Sequence, residues 1–291
     1  MVNVLTATPV PGSPRSLLGE GPVWDHSVRI LYWVDILGGK IHIYRHLFNE
    51  FSFIELGEIV SCVAPAGPRD LVATLKSRVV LIRDGKIYST LAEIREPERN
   101  RFNDCKCDAR GRLWAGTMDM EEKSPSGSLY VLESGKAIRR VLGGITISNG
   151  ISWSLDNRLM YYIDSPKKRV EIYEYDIDGG DIVGLVDTID LSSYNGIPDG
   201  MTIDSRGTLW IAIWGAGRII NIDPRTKEVL NEVSVPAPFT SSCTFGGEDL
   251  RTLYITTASN RVKGLKEGVY DGFLYQVRLE ITGIPINYFK L

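Results

Sequence analysis

Apolar and polar residues alternate with a period of two along much of the chain, as in "RVEIYEYDID" and "RIINIDPRTKEV", and the alternation breaks at Asp-Gly, Gly-Gly and Asp-Pro bends. This pattern predicts short, half-buried strands joined by tight turns. No window of a dozen residues carries a convincing helical stripe, which argues against helical solenoids and an α/β barrel.

One pattern recurs: an apolar start, an Asp/Asn/Gly turn, then a Leu-aromatic strand. It appears in "GPVWDHSVRILYWVD", "CKCDARGRLWAG", "ISWSLDNRLMYYID", "MTIDSRGTLWIA" and "CTFGGEDLRTLYIT", with a degenerate copy in "CVAPAGPRDLVAT". The residue after the Leu, Met or equivalent is Tyr32, Val72, Trp114, Tyr161, Trp210 and Tyr254, giving separations of 40, 42, 47, 49 and 44 residues. Four strands with their turns fill such a unit, so the chain is expected to be all-β, a six-bladed β-propeller with four-stranded blades forming a single domain over residues 1–291. "VNVLTATPV" at the start reads as a strand, and "GFLYQVRLE" and "PINYFKL" at the end as two more. Strands from both ends sharing one blade would close the ring without an exposed edge.

Counting back 11 or 12 residues from each marker reaches Glu20, Ser61, Asn103, Asn149, Asp199 and Ser242, all polar. In a propeller the first strand of each blade lines the axis, so these six positions should ring the channel mouth. The shared phase separates Asp199-Gly200 and Asn149-Gly150 from ordinary hairpin turns such as "RDGK" at Asp84 and "YDGF" at Asp271. Two carboxylates about 5 Å apart would repel by roughly 3 kcal/mol at an effective dielectric near 20, and burial would add to that. A protonated carboxyl, an arginine or a divalent cation could relieve the charge. The oxygen donors suit Ca²⁺, Mg²⁺ or Mn²⁺, and Zn²⁺ also accepts them. Arg101, two residues before Asn103, should face the same side as either an ion-pair partner of an acid such as Asp104 or a substrate-holding cation. The three histidines (His26, His42, His46) all fall outside the ring phase and read as surface or structural residues. Ser241 or Ser242 could serve as a nucleophile, but no histidine stands at that phase to activate it.

Charge narrows the partners. There are 33 Lys plus Arg against 36 Asp plus Glu, a net charge of −3, and no basic block. Neither nucleic acid nor a membrane surface is expected as a partner. The N-terminal stretch lacks a secretory pattern and no run of 18 apolar residues occurs, so a cytoplasmic protein is expected. Cys62, Cys105, Cys107 and Cys243 match no zinc spacing and are expected to be reduced, packed thiols.

Together "GEGPVWD", "RFNDCKCDARGRLWAGTMD", "SNGISWSLDNRLMYYIDS", "PDGMTIDSRGTLWIA" and "TSSCTFGGEDLRTLYIT" resemble the SMP-30/gluconolactonase/regucalcin-like family over about residues 18 to 258. The resemblance implies a six-bladed propeller with one divalent metal on its axis, acting as a metal-dependent lactonase on a small sugar lactone. It implies Glu20, Asn149 and Asp199 as metal ligands, Asp199 also as general base, and Arg101, Asn103 and Glu121 as substrate-binding residues, with Glu122 the competing match for the last. "MEEKSPSGS" is expected to be a mobile loop over the mouth. The chain departs from many relatives at "SNRVKGLKEGVYDGFLYQV", which stands where they carry a Pro, Ala and Gly-rich stretch, and this bears on substrate identity. Two rival readings are metal-dependent hydrolysis of another ester or a phosphotriester, and a non-enzymatic calcium-binding regulatory propeller. A monomer or weak homo-oligomer is expected.

Overall fold

The computed structural model describes residues 3–291. Six sheets stand in a ring, their strands running from inner to outer in chain order apart from the chain-start strands added to blades 5 and 6, and the inner strand of each blade packs on those of its neighbours. The inner strands are Gly19–Asp25, Val60–Pro65, Asn100–Cys107, Ser148–Trp153, Ile197–Ile203 and Thr240–Gly246. The fold is thus a six-bladed β-propeller. The only helical turns among the described residues are three short 3₁₀ segments, His46–Phe48, Ser165–Lys167 and Asn260–Lys263.

The six marker residues lie on the second strands and are all buried. The recurring "D-x-R-G-x-L-W" turn has a physical cause. Asp204 accepts hydrogen bonds from the backbone N–H of Arg206 (2.9 Å) and Thr208 (3.0 Å) and from Trp210 Nε1 (2.9 Å). Asp108 does the same for Arg110, Arg112 and Trp114. One carboxylate thereby shapes the bend and orients the indole that fills the space between blades.

Closure uses the chain start, with a difference in detail. Thr8–Pro9 adds to Tyr275–Arg278 as the outer strand of blade 6, while Asn3–Thr6 pairs in parallel with Val229–Ser234 as a fifth strand on blade 5. The expected strand in "PINYFKL" does not form. The tail instead crosses blades 2 and 3, where the Phe289 N–H donates to Pro65 O (2.8 Å), that of Lys290 to Gly111 O (2.9 Å), and the Phe289 ring is buried. Pro285 has no N–H for a ladder, and burying Phe289 between two blades replaces strand pairing.

The cysteine expectation is also corrected. Cys62 and Cys105 form a disulfide across the inner strands of blades 2 and 3, while Cys107 and Cys243 are free and buried. Their sequence separation of 43 is one blade period, and closure of the ring brings their Cα atoms to 5.8 Å, within bridging range.

His42 stacks on Trp33 at 4.7 Å between centroids, and neither of its ring nitrogens has a hydrogen-bond partner. Burial pushes its pKa down to about 4, against the opposing pull of Asp35. Because the folded value lies below the unfolded one, acid protonates the unfolded chain first. Stability relative to a His42→Phe variant should therefore fall by about 3 kcal/mol between pH 7 and pH 4. Urea unfolding of both proteins at each pH measures this, and a pH-independent difference would refute it.

Candidate metal centre and active site

Each inner strand breaks register with its neighbour at or beside the ring position: Glu20/Val23, Val60/Cys62, Phe102/Cys105, Asn149/Ile151, Pro198/Met201 and Thr240/Ser242. A β-bulge re-aims the side chain at which it occurs. Six such breaks explain why Glu20, Ser61, Asn103, Asn149, Asp199 and Ser242 share a phase, and all six are buried.

The glycines after two of them answer to crowding. A Cβ on Gly200 would lie 2.5 Å from Ser242 Cβ, and one on Gly150 would lie 2.8 Å from Asp199 O. These glycines let neighbouring inner strands approach closely, whereas Asp84-Gly85, with φ of 49° and 74°, is a true hairpin turn. Asp271 is more than a turn residue: it is buried and accepts the Asn260 N–H at 2.5 Å.

Glu20, Arg101, Asn103, Asn149 and Asp199 line one cavity of about 70 Å³ at the channel mouth. A chain of hydrogen bonds orients its amides. Arg101 Nη1 donates to Asn103 Oδ1 (2.6 Å), Asn103 Nδ2 to Asn149 Oδ1 (2.8 Å), and Asn149 Nδ2 to Ser165 Oγ (2.8 Å). Each amide oxygen is thus assigned, and Asn149 Oδ1 keeps one lone pair unused. Arg101 makes no ion pair with Asp104 or any other described acid. Burial, reinforced by Asp104, raises the Glu20 pKa. Burial, then Glu20 and Asp104, raises that of Asp199, and burial lowers that of Arg101 to about 10. Asp199 Oδ1 is buried with no hydrogen-bond partner.

Glu121 is not part of this lining. It is exposed and pairs with Lys123 at 3.4 Å, while Glu122 lines the cavity. The left-handed backbone at Glu122 (φ 60°) turns the second acid, rather than the first, toward the mouth. The segment around it does lie over the mouth, held by Asp119, whose carboxylate accepts the N–H of Glu121 (3.1 Å) and Ser124 (2.9 Å). Of the serines, Ser241 Oγ donates to Gly19 O at 2.6 Å, and no histidine contacts either Ser241 or Ser242. His46 instead meets the Tyr254 hydroxyl at 3.0 Å.

Sequence reasoning missed Asp104 and Lys106 as channel groups. Farther along the inner strands the channel widens into a cavity of about 300 Å³ with Val23, Met201 and Phe245 in its walls. Lys106 Nζ there donates to Met201 O (2.7 Å), and burial raises the Asp104 pKa to about 6 against the pull of Lys106. The larger cavity sets two perturbed groups, Asp104 and Lys106, in mainly apolar walls, whereas the smaller one gathers Glu20, Arg101 and Asp199.

Among the described residues no three His, Cys, Asp or Glu side chains cluster around a common point. Glu20 and Asp199 offer two carboxylates and Asn149 an amide oxygen, a donor set of charge −2 for a hard divalent cation, and the unpartnered Asp199 oxygen fits that role.

A family model described as "SMP-30/Gluconolactonase/LRE-like region" matches residues 18–259. The chain is 39% identical to a Bacillus subtilis protein named provisionally as the sugar lactone lactonase YvrE, over 92% of this chain and 94% of that one. It is 38% identical to regucalcin of Danio rerio, over 93% and 94%. A solved luciferin-regenerating enzyme superposes with a TM-score of 0.91 at 32% identity, covering 98% and 99%. No helix is long and apolar enough to cross a membrane.

Proposed function

Because the chain belongs to the SMP-30/gluconolactonase/LRE-like family, we propose that it hydrolyses sugar lactones with a divalent ion held by Glu20, Asn149 and Asp199. The observation that carries this reading is the buried Asp199 oxygen without a partner, facing the same cavity as Glu20 and the fixed amide of Asn149. Alone, two buried carboxylates disfavour their ionised forms, as the raised pKa values of both express; a divalent cation reverses that preference.

When bound, the ion supplies positive charge that polarises the lactone carbonyl. The chain's own residues do the rest. Arg101 donates hydrogen bonds to substrate oxygens, and Asn103 keeps Arg101 and Asn149 in place. Asp199 accepts a proton from the water attacking the carbonyl carbon. It returns that proton to the ring oxygen as the ester C–O bond breaks, leaving a hydroxy acid. The reading is tested by following acid release from gluconolactone, xylonolactone and galactonolactone with added Ca²⁺, Mg²⁺, Mn²⁺ or Zn²⁺. Ion-dependent turnover supports it. Ion binding without turnover of any lactone replaces it with the calcium-binding, non-enzymatic reading.

A further inference from the structure

The outer edge of the mouth carries two groups given no role so far, Trp214 and Lys263, beside Glu122, the competing match for the substrate-binding acid. Trp214 ends the second strand of blade 5, Glu122 sits on the loop between the second and third strands of blade 3, and Lys263 lies in the 3₁₀ turn Asn260–Lys263 of blade 6. All three line the cavity that holds Glu20 and Asp199. Lys263 Nζ is 3.1 Å from Glu122 Oε2 and 5.8 Å from the centroid of the Trp214 ring.

Neither charged side chain is needed to shape its own turn. The Glu122 loop is built by Asp119. The Lys263 turn is capped by Ser259 Oγ, which accepts the Arg261 N–H, and is tied down by Asp271 through the Asn260 N–H. Both ends of the ion pair are partly exposed, where such a pair adds little stability. The other walls of the outer cavity, Leu18, Met118, Ile147 and Ile197, offer no polar side chain. At about 70 Å³ the space is far below the ~300 Å³ of an ordinary ligand pocket, so a bound ligand must extend past the Glu122–Lys263 pair.

We infer that Trp214, Lys263 and Glu122 form a specificity subsite for the hydroxylated tail of a neutral sugar lactone. Lys263 donates to one hydroxyl, Glu122 accepts from its neighbour, and the indole packs under the carbon-bound face of the tail. The pair is neutral overall and sets an ammonium donor beside a carboxylate acceptor, which matches the neighbouring hydroxyls of a vicinal diol. An acidic tail would instead set a carboxylate beside Glu122.

This inference rests on the lactonase reading for its substrate, and its test separates the two. D-glucono-δ-lactone and unsubstituted δ-valerolactone are compared in the wild type, Lys263→Met, Glu122→Gln and Trp214→Leu. In each variant the ratio of kcat/KM for the hydroxylated over the unsubstituted lactone should fall about tenfold or more, mainly through KM. An unchanged ratio overturns the subsite while leaving the lactonase reading intact. The second readout is quenching of tryptophan fluorescence by D-glucitol. It is expected in the wild type and lost in both Trp214→Leu and Lys263→Met. Quenching without turnover of either lactone by the wild type would retain the subsite and remove the lactonase reading; no quenching overturns the subsite.

Discussion

Asp199→Asn and Glu20→Gln should each reduce lactone opening by about a thousandfold or more, and each should make the ion-free protein more resistant to alkaline unfolding than the wild type. The first effect follows from losing a ligand charge and, at Asp199, the proton acceptor. The second comes from burial. Both carboxyls have folded pKa values above their unfolded ones, so the folded state holds their protons more tightly. The favourable contribution is fully present at low pH. It is lost as pH rises through the folded values, because the folded state must then carry two close, dehydrated charges. Neither amide variant can ionise at the substituted position, so its stability should decline less between pH 5 and pH 9, by a difference on the order of a few kcal/mol. Excess divalent ion should stabilise the wild type and much less so the variants. Unfolding midpoints in chelator and in added ion, at both pH values, measure the stability effects. Full turnover in either variant, or equal pH slopes in wild type and variants, would remove the proposed centre.

The ring was legible because a propeller repeats. Six blades place one polar residue each 11 or 12 positions before a buried marker, so a count along the chain reaches Glu20, Asn103, Asn149 and Asp199. What does not repeat was not legible. Glu121 and Glu122 are adjacent, and only the left-handed turn at Glu122 decides which reaches the cavity. Lys263 arrives on the long connection between the second and third strands of blade 6, and nothing in its local pattern says that the connection folds back over the mouth. The tail failed for a related reason. "PINYFKL" has strand-like composition, but its fate is decided by a hydrophobic slot between two distant blades that accepts Phe289. Asp104 and Lys106 were overlooked because they lie just past the ring phase, where the bulge in blade 3 turns them toward the channel.

The disulfide was hidden by phase as well, and it carries the second large prediction. Cys62 follows its ring residue Ser61 by one position and Cys105 follows Asn103 by two, a mismatch that the bulges in both strands absorb. The bridge closes a loop with a sequence separation of 43 and ties together the inner strands beside Arg101 and Asn103. Loop-closure entropy for that length puts its contribution at about 4 kcal/mol, through the loss of freedom in the unfolded chain. For a chain of this size, that corresponds to a fall in Tm of roughly 7 °C. The double variant Cys62→Ala with Cys105→Ala should show this loss even without reductant. Each single variant should match the double, because either one breaks the same bond. Reductant should lower the wild-type Tm toward that of the double variant and leave the variant's Tm unmoved. Thiol titration of the unfolded wild type should count only Cys107 and Cys243 until reductant is added. Four reactive thiols without reductant, or a reductant-insensitive Tm, would return Cys62 and Cys105 to the role of packed, reduced side chains.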